Sequence, residues 1–226
     1  MSQDVVLNNQ KMEIITENTT KHFDAYLKAL RKICPKLNDK EIDFMFSNIS
    51  LISLKPKELY LKAGKVQDSL AFCCKGLLRI FCINDKGMDV TVAFVKENNY
   101  ATDYGAFISQ TPSKYFIETL EPCLLIDIPF TSIQESYSKY KTCENYGRVI
   151  AENHLIKVHN RVDEFLFNSA EQRYINFLSE NAEVMSRISV THLSSFLGMK
   201  RQTLTRIRKK MIQKNNIDTN VSPKDY

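Results

Sequence analysis

Between Arg187 and Lys214 the chain carries eight lysines and arginines and no aspartate or glutamate. The formal net charge of the whole chain is +5, so everything outside that stretch sums to 5 minus 8, or −3. A basic end on a mildly acidic body points to a polyanionic partner, because neutralising phosphates releases condensed counterions. The residue types narrow the chemistry further. Arginine presents two parallel donors that match guanine O6 and N7, and glutamine pairs a donor with an acceptor that match adenine N6 and N7. Lys200, Arg201, Gln202, Thr205, Arg206, Lys209 and Lys210 lie opposite the apolar series Leu204, Ile207 and Met211 on one predicted helix. The candidate DNA-contacting set is Lys200, Arg201, Gln202, Thr203, Thr205, Arg206 and Lys209.

Those side chains need a rigid support. Val190, Leu193, Phe196 and Leu197 recur at helical spacing just upstream, and Gly198 supplies the residue that closes that helix at positive φ. Two short helices therefore meet at a sharp turn, the helix-turn-helix arrangement that places its second helix in the major groove. A break at Asn168-Ser169-Ala170 precedes a further helical stretch with Tyr174, Phe177 and Leu178, which opens this small domain. Upstream, between Tyr140 and Leu166, Val149, Leu155, Ile156, Val162 and Phe165 keep a spacing close to three and four residues. A helix this long is hard to cover with one small domain, so these five are the expected seam of a two-fold dimer; packing on the chain's own body is the alternative. Helix-turn-helix proteins commonly read two half-sites about one DNA turn apart, which favours the dimer.

From about Ile49 to Ile128 the pattern shortens to strands, at Glu58 to Lys62, Leu70 to Cys74, Leu77 to Ile83, Val90 to Val95, Phe116 to Leu120 and Cys123 to Ile128. Turn residues separate them at Ala63-Gly64, Lys75-Gly76, Asn84-Asp85-Lys86-Gly87 and Glu121-Pro122, a spacing that predicts a β barrel or roll. Asp103-Tyr104-Gly105-Ala106-Phe107 reads as a short helix inserted between strands. Two helices lead in: one capped by Thr20 and stopped by Pro35, the other starting at Asn38 with Glu41 as capping partner. After Pro129 the chain reads as helical throughout. The expected units are 1–138 (roll with entry helices), 139–168 (long helix) and 169–226 (DNA-binding part).

The 226 residues and 43% hydrophobic content allow a substantial core. There is no run of about 18 apolar residues and no secretory pattern at the start, so a soluble, cytoplasmic protein without a membrane partner is expected. The six cysteines, at 34, 73, 74, 82, 123 and 143, show no metal-finger or CxxC spacing and are expected as small buried hydrophobes. No nucleophile sits near a base in a motif, no glycine loop cradles phosphate and no HExxH occurs, so enzymatic activity is not expected.

The order of parts resembles the Crp/Fnr family of transcription regulators over roughly Ile42 to Met211, most specifically at the Gly64, Gly76 and Gly87 turns, at Asp103–Phe107 and at Gly198–Arg206. The resemblance implies an α+β chain: an N-terminal β-roll like a cyclic-nucleotide-binding jelly roll, a long dimerisation helix and a C-terminal, winged-helix-like helix-turn-helix domain. It puts Arg201, Gln202 and Arg206 at base-contacting positions, and Asp103, Tyr104, Gly105, Ser113 and Lys114 around an effector pocket. It implies a homodimer on double-stranded DNA and leaves room for RNA polymerase and a small-molecule effector as further partners. The departures matter as well. The family's cyclic-nucleotide pocket uses glutamate on the inserted helix and arginine followed by a small hydroxyl residue; here Asp103 and Thr111-Pro112-Ser113-Lys114-Tyr115 stand there. Lysine lacks the planar fork that grips a phosphate, so weak or no cyclic-nucleotide binding is expected, in a pocket narrowed by Tyr104, Tyr115 and Phe116 or open to a more apolar ligand. A cyclic-nucleotide-responsive regulator and a ligand-binding module that no longer regulates transcription are the alternatives. Only Cys34 precedes the roll, too few for the family's iron-sulfur cluster, and His22, His154, His159 and His192 are scattered; no cofactor is expected. Ile212 to Tyr226 holds only Ile217 and Val221 as apolar strand material, so the wing is expected to be rudimentary or absent.

Overall fold

The structure, a computed structural model, describes residues 21–220, with side chains to residue 213. Helix α1 runs through 21–33 and ends ahead of Pro35; the Thr20 cap lies outside the described residues. Helix α2 (Asp39–Phe46) opens on a reciprocal cap: Asn38 Oδ1 accepts from the Glu41 N–H at 3.0 Å, and the Glu41 carboxylate accepts from the Asn38 N–H at 3.0 Å. Tyr26, Leu30, Leu37 and Ile42 bury the inner faces of both helices against the body that follows.

That body is a roll of eight strands, β1 (Ser50–Leu54), β2 (Leu59–Leu61), β3 (Ser69–Lys75), β4 (Leu78–Ile83), β5 (Asp89–Val95), β6 (Tyr100–Ala101), β7 (Phe116–Thr119) and β8 (Cys123–Pro129). They form two antiparallel sheets, ordered β1-β8-β3-β6 and β2-β7-β4-β5. Leu61, Cys73, Leu78, Ile117 and Leu125 fill the space between them. The strands expected from alternation are present to within one residue, while β1 and the two-residue β6 were not foreseen. In β1 the serines at 50 and 53 interrupt the apolar rhythm, and pairing with β8 makes the segment a strand. Gly76 takes φ 105 at the β3–β4 turn, where a Cβ would also meet Cys123 Sγ at 2.6 Å.

The inserted helix α3 (Tyr104–Ser109) starts on Asp103 and ends at Gln110, in the left-handed region at φ 52. Buried Gln67 fixes its approach, its Oε1 accepting from the Asp103 N–H at 3.0 Å and the Thr102 hydroxyl at 3.2 Å. The helical stretch after Pro129 is broken at Tyr140, whose extended backbone separates α4 (Phe130–Lys139) from α5 (Lys141–Phe167). The two fold back on each other so closely that a Cβ at Gly147 would collide with the Tyr137 ring.

Helix α6 (Ala170–Glu180), a 3-10 turn at Ala182–Val184, α7 (Val190–Phe196) and α8 (Arg201–Asn220) complete the described chain. Ser169 and Ser189 cap α6 and α7 through the N–H groups of Gln172 and His192. Of the winged ending implied by the resemblance nothing is seen among the described residues: no strand follows α8 there, and the helix continues to Asn220. Packing also ignores the boundary expected at residue 169. Leu77 of the roll, fully buried, belongs to the same core as Tyr174, Phe177, Val184, Leu193 and Leu204, and Phe94 and Leu120 pack against it. Among the described residues no helix is long and apolar enough to cross a membrane.

Candidate nucleic-acid interface and effector groove

Leu193 and Leu204 are fully buried, Leu197 and Ile207 nearly so, and their contacts press α8 against α7 through its apolar side. The opposite side of α8 faces outward. Arg201, Gln202, Thr205, Arg206 and Lys209 are exposed and line one concave surface. Lys200 is exposed just ahead of the helix, and Thr203 is half-buried beside Leu204. The Thr205 hydroxyl donates to the Arg201 carbonyl at 3.1 Å. Two further cations are used internally: Lys210 pairs with Glu171 at 2.9 Å, and Arg208 sits 5.6 Å from the Tyr174 ring centre. Arg201, Arg206 and Lys209 therefore supply the charge of the concave surface.

Helices α6 to α8 are docked on the roll. Phe94 of β5 meets Phe177 and Phe196 with ring centres 6.1 and 5.3 Å away. Beside them the Thr91 N–H donates to Ser195 Oγ at 3.0 Å, and that hydroxyl donates to the Asp89 carbonyl at 3.2 Å. At the other edge Arg187 reaches Glu97 at 2.8 Å and Glu121 at 2.6 Å, and Lys96 pairs with Glu183. Glu97 is held in place by the Gly76 N–H at 2.8 Å. Burial by itself would raise the Glu97 carboxyl, but hydrogen bonds from Arg187 and from backbone N–H groups outweigh it and hold it below its ordinary value. A carboxyl lowered in the folded state contributes stability that is complete above its unfolded pKa and lost as pH falls through the folded one. Urea midpoints are therefore expected to drop below about pH 4.3, and less steeply in Glu97→Gln. Equal acid slopes in both proteins would show that this pair does not couple the two parts.

Of the expected seam, Leu155, Ile156 and Val162 are exposed at 57%, 56% and 49%, with Leu166 at 69%. Val149 is half-buried. Phe165 is turned to the helix-turn-helix: a Cβ on Gly198 would collide with its ring, and Arg161 and Arg173 stack on it at 4.3 and 4.9 Å. Val162 also lines the groove described next, while Leu155, Ile156 and Leu166 do not.

Asp103, Tyr104, Gly105 and Lys114 line a groove of about 940 Å³ between the roll and α5. Ser113 does not: it is buried and donates to Asp103 Oδ2 at 2.7 Å. Tyr115 also lines the groove, whereas Phe116 stacks on Phe81 at 5.0 Å. His154, Lys157 and Arg161 of α5 were missed, although their spacing of three and four residues marks one helix side. His154 lies 4.8 Å from the Tyr104 ring, and burial followed by the charge of Lys157 lowers its pKa. The six cysteines are free, three of them buried. Among the described residues no group of three or more histidine, cysteine or acidic side chains is placed to hold a metal.

The eight-stranded roll, the long helix α5 and the terminal helices α6 to α8 are similar in fold to solved regulatory proteins. FixK2 of Bradyrhizobium japonicum matches with a TM-score of 0.65 at 12% identity, over 74% of this chain and 86% of that one. The c-di-GMP-responsive global regulator CLP of Xanthomonas campestris gives 0.60 at 16% identity, over 83% of this chain and 96% of that one. The catabolite activator protein of Thermus thermophilus gives 0.51 at 14%, over 81% and 87%. At such identities the likeness is one of fold. No protein-family model and no curated protein matches the sequence.

Proposed function

We propose that this chain is a homodimeric, sequence-specific DNA-binding transcription regulator working in the cytoplasm, with the roll and its groove as sensor of a small molecule. The observation that carries the reading is the exposed concave surface of α8, where Arg201, Gln202 and Arg206 stand together on a helix held rigidly by Leu193, Leu197 and Leu204. Two-pronged donors on the second helix of a helix-turn-helix match base edges in the major groove, and Lys209 and Lys200 add sequence-independent phosphate contacts. RNA polymerase is a natural second partner for such a regulator.

Alanine at Arg201, Gln202 or Arg206 is expected to cost about 1 to 3 kcal/mol on a preferred site selected from random DNA, and to relax one base position per half-site. Lys209→Ala is expected to weaken all sequences alike and to lower the salt slope by about one. If Arg201→Ala loses the same factor on random as on selected DNA, the base-reading assignment fails.

The exposed Leu155, Ile156 and Leu166 support the two-fold seam, since a single chain leaves this apolar stripe in water. Ile156→Glu would bury an unpaired charge there, and light scattering is expected to show monomers with weak palindrome binding. An Ile156→Glu protein that stays dimeric places the interface elsewhere.

A further inference from the structure

The groove beside α5 carries a chemistry of its own. Ile80, Val92 and Phe94 form an apolar wall on the roll, and Phe177 and Phe196 of the C-terminal helices also line it. Its volume of about 940 Å³ lies within the range of small-molecule sites. The charges around it are unbalanced: Lys114, Lys157 and Arg161 line it against one carboxylate, Asp103. Asp103 is already engaged, Oδ1 accepting from the Ala106 N–H at 3.4 Å and Oδ2 from Ser113 at 2.7 Å. Arg161 is engaged too, with Glu164 at 3.2 Å, the Phe196 carbonyl, and the Phe196 ring at 3.8 Å. The lysines are not. Lys157 donates to the Asn99 side-chain oxygen at 3.2 Å and Lys114 lies 5.2 Å from the Tyr115 ring centre; among the described residues neither has a carboxylate within ion-pair distance.

We propose that the groove takes an amphipathic organic anion, an apolar chain ending in one carboxylate, with the head group held by Lys157 and Lys114 and the chain lying along Val92 and Phe94 towards Phe177 and Phe196. This rests on the sensor reading above and names the ligand class. Charge complementarity selects an anion, and a lysine point charge serves a carboxylate without the two-pronged grip that a cyclic phosphate calls for. The apolar side chains lining the groove, Ile80, Val92, Phe94, Phe177 and Phe196, select a ligand with an apolar body over a wholly polar one. Because its walls come from the roll, α5 and the helix-turn-helix part, such a ligand binds the docked arrangement best and stabilises it.

Calorimetric titration of the full-length protein with decanoate, decanol and cyclic AMP tests this. Decanoate is expected to bind, decanol at least about tenfold more weakly and cyclic AMP not at all, a tenfold ratio being about 1.4 kcal/mol. Lys157→Ala and Lys114→Ala are each expected to weaken decanoate about fivefold and to leave decanol unchanged. Equal affinity for decanoate and decanol, equal losses for both in the lysine variants, no decanoate binding at millimolar concentration, or binding of cyclic AMP in its place would each overturn the proposal. Selected-site DNA binding of the same proteins, measured without ligand, separates the two readings: intact DNA recognition with no decanoate binding removes only the ligand class, and absent DNA recognition removes the regulator reading by itself.

Discussion

Replacing Gly198 by alanine is expected to destabilise the protein by about 3 kcal/mol and to lower DNA affinity more than any single contact residue does. Two costs add. Gly198 sits at φ 63, where a β-carbon costs about 1 to 2 kcal/mol. The new methyl would also run into the Phe165 ring, and overpacking of this kind costs about 1 to 3 kcal/mol. The ring is 45% exposed, and retreat towards solvent would break its stacking with Arg161 and Arg173. The other relief is a change in the angle between α7 and α8, which moves Arg201, Gln202 and Arg206 together. Gly64→Ala is the control: its φ is 85, yet nothing lies within 4 Å of the added carbon, so it is expected to lose only about 1 kcal/mol. Denaturant unfolding of both variants decides the matter, and equal losses would mean that the Phe165 contact does not constrain the turn.

Leu77→Ala is expected to cost about 3 kcal/mol, in the middle of the range for leucine truncation in a core, and to be felt in a part of the chain far away in sequence. Leu77 lies next to β4 in the roll, but it is fully buried within the core of the C-terminal helices, and its carbonyl accepts from the Leu120 N–H at 2.8 Å. Hydrogen exchange should therefore speed up in α6 and α7 as well as around the β3–β4 turn. Unchanged protection of α6 and α7 in a destabilised Leu77→Ala protein would show that the two parts have separable cores. A shared core also connects the groove to the C-terminal helices, because Phe94, Phe177 and Phe196 take part in both.

Local rules carried much of this molecule. The Asn38–Glu41 cap, the glycine turns at 64, 76, 87 and 198 and the alternation of β3, β4, β5, β7 and β8 depend on neighbouring residues and were legible from them. The same holds for the face of α8, since a period of 3.6 residues separates Leu204 and Ile207 from Arg201, Gln202, Arg206 and Lys209 without reference to any other element. Contacts between distant segments were not legible. Tyr140 breaks α4 from α5 without a glycine or proline to announce it, and Ser50 and Ser53 hide β1 until β8 pairs with it. Phe165 reads as a seam residue by spacing, and the fold also lays its ring beside Gly198; Ser113 reads as a pocket residue, but Asp103 draws it inside. Arg187, counted in the sequence as one cation of a basic tail, is bound to Glu97 and Glu121 of the roll. By itself the sequence determined which faces are apolar, where the chain turns and which side chains present donors outward, because these follow from periodicity and backbone freedom. Only the tertiary structure decided which cations are neutralised at home and which remain for a ligand or a phosphate, because that depends on carboxylates tens of residues away being brought within a few ångströms.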